Sequence, residues 1–375
     1  MVIGLLGPSI PGIIMDFGIS YIKAGLFFTM LSLGSLIGTP LGGFASDYLN
    51  RKILFSCIAL VLSAGLVCVG LAPSYSLSLL FIFLLSLAGS PAGAVGQSIM
   101  LDMFPEKRER FLALQTLFAA LGSFIAPLLV AMNYSVELSW RWAFIETAGI
   151  AILFLAAILL VPIPAVRVKQ LDRKKVSSIL SNRGLLISAV LIFFYMALDI
   201  GFSYWLAEYF KSELQASMKI ASAGVSIFLA GLITGRLITS RLLRVLKSTR
   251  IMQCGLVLAL VSLTLFLIVP FNSVKVASIL LYGLGISPVF PLLMARGTAI
   301  FPDQPGMVSG IMYACVSLGG MVFPLVIGAV ASAMDIRHSY FLIGFIVLAL
   351  LIAVSCRAAG DEKCLAGSPG GTARY

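Results

Sequence analysis

Apolar residues run along this chain in blocks rather than in alternation. Stretches near 1–15, 24–46, 53–72, 77–101, 111–133, 142–163, 185–209, 220–243, 251–271, 274–300, 307–333 and 338–356 are nearly free of charge and are separated by short polar breaks. Most are about as long as the roughly 20 residues a helix needs to cross a bilayer, so each predicts one membrane-spanning helix. The expected fold class is an all-α membrane protein of twelve transmembrane helices.

Glycines and prolines punctuate these blocks twice over. Residues 24 to 131 and 221 to 328 carry the same punctuation at a fixed offset of 197. Gly34 and Gly38 recur as Gly231 and Gly235, and Ser90-Pro91, Phe104-Pro105, Gly122 and Pro127 recur as Ser287-Pro288, Phe301-Pro302, Gly319 and Pro324. These residues govern close approach and bending of helices, so the offset predicts two halves of similar backbone shape. An even number of spans per repeat gives both halves the same orientation in the membrane. The predicted units are an N-terminal six-helix bundle over 1–163, a linker over 164–184, a C-terminal six-helix bundle over 185–358 and a tail over 359–375. By the same ruler the counterpart of Leu185, where span seven begins, lies about a dozen residues ahead of Met1. Span one is therefore expected to lack its cytoplasmic half, with about 22 Å of helix against a hydrocarbon core of about 30 Å.

Composition agrees with lipid as the solvent: 60% of residues are hydrophobic, 11% are charged, and the mean hydropathy is +1.08. If the chain begins in the cytoplasm, twenty of its twenty-six Lys and Arg fall on that side. The other six, Lys23, Arg141, Lys211, Lys219, Lys275 and Arg337, fall outside. That bias predicts an integral protein of the inner (plasma) membrane with both termini cytoplasmic. It also accounts for the net charge of +11 by topology, which leaves no call for a nucleic-acid partner. His338 is the only histidine, no Cys or carboxylate cluster has metal spacing, and no phosphate-binding glycine loop is present, so neither an enzyme, a metal site nor a cofactor is expected. Cys57, Cys68, Cys254, Cys315 and Cys356 lie in spans and Cys364 in the tail, as expected of free thiols. A monomer is expected.

Charges inside spans are expensive and need a reason. Asp199 lies near the middle of span seven, and Tyr195, Asp199 and Ser203 fall at helical spacing on one polar stripe. A carboxyl group held away from bulk water can bind and release a proton in the neutral range, so Asp199 is the first candidate proton-coupling residue. A permanent pair with a neighbouring helix is the alternative. Glu146 in span six is a second candidate, or else the partner of Arg141. Arg236 and Arg296 are read as side chains reaching from the membrane to water. Trp140 and Trp142 are read as interfacial anchors, and Trp205 as an anchor or a stacking platform for a sugar ring.

Between spans two and three, Gly43-Phe44-Ala45-Ser46-Asp47-Tyr48-Leu49-Asn50-Arg51-Lys52 resembles the signature loop of the major facilitator superfamily, Gly-x-Leu-Ala-Asp-Arg-x-Gly-Arg-Lys. Gly43, Asp47, Arg51 and Lys52 match the pattern. Asn50 replaces a glycine and is expected to tolerate the left-handed backbone there. The resemblance implies two bundles that rock about a midplane cavity lined by spans one, four, seven and ten. It also implies a cytoplasmic gate in which Arg51 pairs with Asp102 near Arg108. Gln97, Ser98, Tyr195, Ser203, Tyr204, Trp205, Tyr282 and Ser287 are the polar side chains expected near the cavity. The run from Tyr195 to Tyr209 and the stretch Gly283 to Pro291 are similar to the sugar-proton symporter branch that includes fucose permease. Gly122-x-x-x-Ala126-Pro127 is similar to an element of drug-proton antiporters, and is also readable as a seam of small residues. The expected function is secondary active transport of a small solute with a coupled proton, by symport of a sugar or similar polar molecule. Export of drugs or metabolites, and a sensor built on a transport fold, are the other readings.

Overall fold

The computed structural model describes residues 2–93, 95–96, 108–160, 182–301 and 305–366, and every regular element among them is helical. In chain order these are α1 (Val2–Phe17), α2 (Tyr21–Tyr48), α3 (Arg51–Leu71), α4 (Tyr75–Gly89), α5 (Arg108–Ser135) and α6 (Trp140–Leu160). The second half has α7 (Arg183–Ser212), α8 (Met218–Leu242), α9 (Ser248–Ile268), α10 (Asn272–Ile300), α11 (Pro305–Ala333) and α12 (Ile336–Ala366). Eleven of these are long and apolar enough to cross a membrane, and α1 is a shorter apolar helix. The polar breaks supply the helix starts: Ser74, Asn182 and Ser217 each accept a hydrogen bond from a backbone N–H in the first turn of α4, α7 and α8. Asn50 does the same for α3, accepting from Lys52 and Ile53 at φ −59°. The left-handed backbone expected at Asn50 is therefore absent, and the residue serves as a cap instead.

The repeated glycines set two matching helix crossings. A Cβ on Gly34 would strike the Phe83 carbonyl at 2.6 Å, and one on Gly231 would strike the carbonyl of Leu280. Gly38 meets Leu87 and Ser90, and Gly235 meets Leu284 and Ser287. So α2 crosses α4 as α8 crosses α10, each at a distance only glycine permits. Ala126 in α5 packs on Gly4 of α1, as a small-residue seam would.

The α2–α3 and α8–α9 connections carry Arg51, Lys52, Arg241, Arg244, Lys247 and Arg250, which defines a basic face. The loops of the opposite face follow α1, α3, α5, α7, α9 and α11. Near that opposite face the two halves are joined. Gly25 of α2 packs on Pro324 and Leu325 of α11, the Ile22 N–H donates to Ser332 Oγ at 2.9 Å, and Thr29 donates to the Met321 carbonyl at 3.1 Å. From α8, Ser222 donates to the Pro8 carbonyl at 3.0 Å and Ser226 to the Phe124 carbonyl at 3.1 Å. Phe28 of α2 stacks on Tyr204 of α7 with ring centroids 4.2 Å apart.

Candidate functional site

Beneath this contact, toward the basic face, a cavity lies between the halves as two lobes of about 310 Å³ and about 390 Å³. Ala119, Ser123, Ile200 and Tyr204 line both lobes. The first lobe adds Gly4, Gly7 and Pro8 of α1, Asp199 and Ser203 of α7, and Val225 to Arg236 along one side of α8. The second adds Ser32 and Ser35 of α2, Ser86 and Ser90 at the end of α4, and Val316 and Ser317 of α11. Gly320 and Ser32 still touch, and one turn farther in Ser35 and Ser317 face the open space. The walls are mostly apolar with hydroxyls spaced among them. Asp199 and Arg236 put one charge of each sign on the first lobe.

Asp199 owes its place to a break in helical register. Ala197–Gly201 forms a π-helical turn within α7, so one extra residue fits into that turn and the helix beyond it is rotated. Widening the ring loosens the carbonyls of the turn, and neighbours supply donors. The Tyr282 hydroxyl of α10 donates to the Leu198 carbonyl at 3.0 Å, and the Tyr340 hydroxyl of α12 donates to the Phe202 carbonyl at 2.9 Å. The Tyr195 hydroxyl donates to Asp199 Oδ2 at 3.2 Å. The carboxylate is thus held by its own helix, facing the cavity on one side and Tyr195 on the other.

The family model described as Major Facilitator Superfamily matches residues 1–304 and 209–369, which together span nearly the whole chain. The chain belongs to the major facilitator superfamily. It is therefore an integral membrane protein of a family of transporters, not of enzymes. It is 24% identical to the uncharacterized MFS-type transporter YfkL of Bacillus subtilis, over 86% of this chain and 82% of that one. It is 23% identical to the inner membrane transport protein YdhP of Escherichia coli K12, over 96% and 93%. Among solved structures it superposes on the nucleoside transporter NupG with a TM-score of 0.75 at 16% identity, covering 95% and 97% of the two chains. It superposes on a D-xylose-proton symporter with a TM-score of 0.74 at 19% identity, covering 94% of each.

Set on this superfamily frame, the residues singled out by sequence separate into three groups. Asp199, Ser203 and Tyr204 line the cavity. Tyr195, Trp205, Tyr282 and Ser287 are absent from the lining of both lobes. Tyr195 is fully buried, stacks on Phe290 and meets the cavity only through its hydrogen bond to Asp199. Trp205 is fully buried, donates from Nε1 to the Pro324 carbonyl at 3.0 Å and packs edge-on against Tyr21 and Phe28, so no face is free for a sugar ring. Tyr282 is consumed by the Leu198 carbonyl, and Ser287 donates to Leu284 at the α8 crossing. Among the described residues α10 contributes nothing to the lining, where the superfamily resemblance had implied a tenth-helix wall.

Glu146 faces Asn133 of α5, accepting from its Nδ2 at 3.0 Å, rather than Arg141. Arg141 instead pairs with Asp16 at 3.4 Å and donates to the Gly70 and Ala72 carbonyls at 3.3 and 2.7 Å. Trp140 is buried and donates to Asp16 at 2.9 Å, so only Trp142 keeps the exposure of an interfacial anchor. Gln97 and Ser98, expected near the cavity, and Asp102 of the expected gate lie outside the described residues, as do the gate side chains of Asp47, Arg51 and Arg108 and the surroundings of Gly43. Lys52 donates from Nζ to the Leu159 carbonyl at 2.8 Å, capping the end of α6 within its own half.

Two charges were undervalued by sequence. Arg236 was read as reaching for water at a helix end, but it points into the cavity beside Asp199. Glu208 was not singled out at all, and it is only 3% exposed at the contact between the halves. Spacing from Tyr204, one turn earlier on α7, was the available signal for Glu208.

Proposed function

We propose that the protein is a proton-coupled symporter that moves a small polar solute by alternating access, with the basic face and both termini in the cytoplasm. The observation that carries this reading is the cavity between the halves, bearing Asp199, Ser203, Tyr204 and Arg236 and closed by packing toward the opposite face. In this state solute and proton exchange with the cytoplasm. Asp199 carries the coupled proton: with the proton bound, the carboxyl is neutral and Arg236 is left as the one charge on the lobe, free to be answered by the bound solute as the halves close. With the proton lost, the charges of Asp199 and Arg236 hold the cavity hydrated and open. Serine hydroxyls and Tyr204 supply the hydrogen bonds a hydroxylated solute needs, and the resemblance to sugar-proton symporters favours that class. The six-helix units 1–163 and 185–358 move as bodies joined by the linker 164–184, and Asp47, Arg51 and Asp102 form the latch of the cytoplasmic side in the opposite state.

The experiment is transport in liposomes. A pH gradient and a sodium gradient are imposed separately, and labelled sugars, nucleosides, carboxylates and cationic drugs are followed. Accumulation of a polar solute driven by protons is expected. Accumulation driven only by sodium would overturn the proton reading, and proton-driven expulsion of cations would replace symport by export.

A further inference from the structure

Glu208 lies one turn beyond Tyr204 on α7, at the contact that closes the cavity from the face opposite the basic one. Its Oε1 accepts from the Tyr21 hydroxyl of α2 at 3.3 Å, so this hydrogen bond joins the two halves. Its Oε2 is buried without a hydrogen-bond partner. An ionised carboxylate with a bare, dry oxygen forfeits its hydration and receives nothing back, whereas a carboxylic acid leaves far less charge unanswered. Glu208 does not line the cavity, so Asp199 and Glu208 are separate groups.

The charges around it do not remove that penalty. Tyr21 is the contribution of α2, and Lys211 with Glu213 at the end of α7 are the nearest ions. Asp16 of α1 is engaged by Arg141 and Trp140, and Lys275 of α10 and Arg337 of α12 donate to carbonyls of α9. Asp335, between α11 and α12, is held by His338, while Lys23 of α2 and Lys219 of α8 are exposed.

We propose that Glu208 is a second proton-binding site, filled from the face opposite the basic one, and that the halves close there only when it is protonated. On opening, water reaches the carboxyl, its O–H bond breaks, the electron pair stays on Oε2 and the proton leaves to water. On closing, the proton returns before the Tyr21 hydrogen bond re-forms. This inference rests on the alternating-access reading.

The test reads the separation of the halves directly. With the six native cysteines replaced, spin labels on Val136→Cys and Met334→Cys, both exposed at that face, report the distance between halves in liposomes from about pH 5 to about pH 9. The parent is expected to gain a long-distance population as pH rises, Glu208→Gln to lose it at every pH, and Tyr21→Phe to gain it at lower pH. Glu208→Gln that opens with the parent's pH profile overturns the latch and leaves alternating access standing. A parent that never widens, with pH or with solute, overturns both. If Glu208→Gln fails to fold, the Tyr21→Phe profile decides alone: an unshifted profile overturns the latch.

Discussion

Gly34 and Gly231 each sit against a carbonyl four helical positions from the next repeat contact, Phe83 in one half and Leu280 in the other, yet the side chains nearby part company. Where the second half has Tyr282 holding the π turn, the first has Leu85, which has no hydroxyl to donate and lines the second lobe. Asp199 falls opposite Val2, and the buried carboxyl group of the contact, Glu208, also belongs to the second half. The halves share a frame of helix crossings and differ in where ionisable groups face the cavity. Packing geometry is the part of a duplicated unit that both copies must keep. Charge is the part that one copy can hold alone, because a single buried proton site suffices to link a gradient to a movement.

Breaking the frame should hurt both halves alike. Gly34→Val and Gly231→Val each drive a side chain into backbone, and each should cost about 3 kcal/mol or more, lowering the detergent melting temperature by similar amounts. A large loss in one half alone would contradict the shared crossing.

Charge-bearing caps should separate the halves. Arg141 meets Asp16, two carbonyls and the rings of Trp140 and Phe17, whereas Arg337 donates to the Leu267 carbonyl. Arg141→Gln should therefore cost about 2–3 kcal/mol and Arg337→Gln about 1 kcal/mol. Equal losses by thermal melting would show that the extra contacts of Arg141 contribute nothing.

Tyr282→Phe removes one hydroxyl donor from the π turn. A stability loss of about 1 kcal/mol or less is expected, with a larger relative loss of solute uptake, because the turn aims Asp199. If Tyr282→Phe transports normally, the π turn does not need its donor.

A local effect without consequence for uptake concerns Asp335, which caps α12 where the first half has Leu138. The His338 backbone N–H holds its carboxyl below the usual carboxylate range, with the His338 ring assisting. Asp335→Ala should cost about 1 kcal/mol near neutrality. That stabilisation is present above the ordinary carboxylate pKa and is lost as pH falls through the depressed one. Parent and variant melting curves should therefore converge once pH has fallen below the depressed value.

The helices, their number and the duplicated crossings were legible because apolar length and glycine placement report directly on lipid and on close packing. Asp199 was legible as a lone carboxylate in an apolar run. The π turn at Ala197 to Gly201 was not, since nothing in those residues marks it, although Asp199 and Ser203 still share the cavity face and Tyr195 still meets Asp199. Arg236 and Glu208 were missed for a related reason. Near a helix end a charge reads as facing water, and only the partner half decides whether it faces a cavity or a dry contact.

The most direct measurement places Asp199→Asn in liposomes with the solute found by the transport screen. Exchange of labelled for unlabelled solute should persist near the parent's rate, while accumulation against a gradient under an imposed pH difference should vanish. Accumulation at the parent's level in Asp199→Asn would contradict Asp199 as the group that couples the proton to transport.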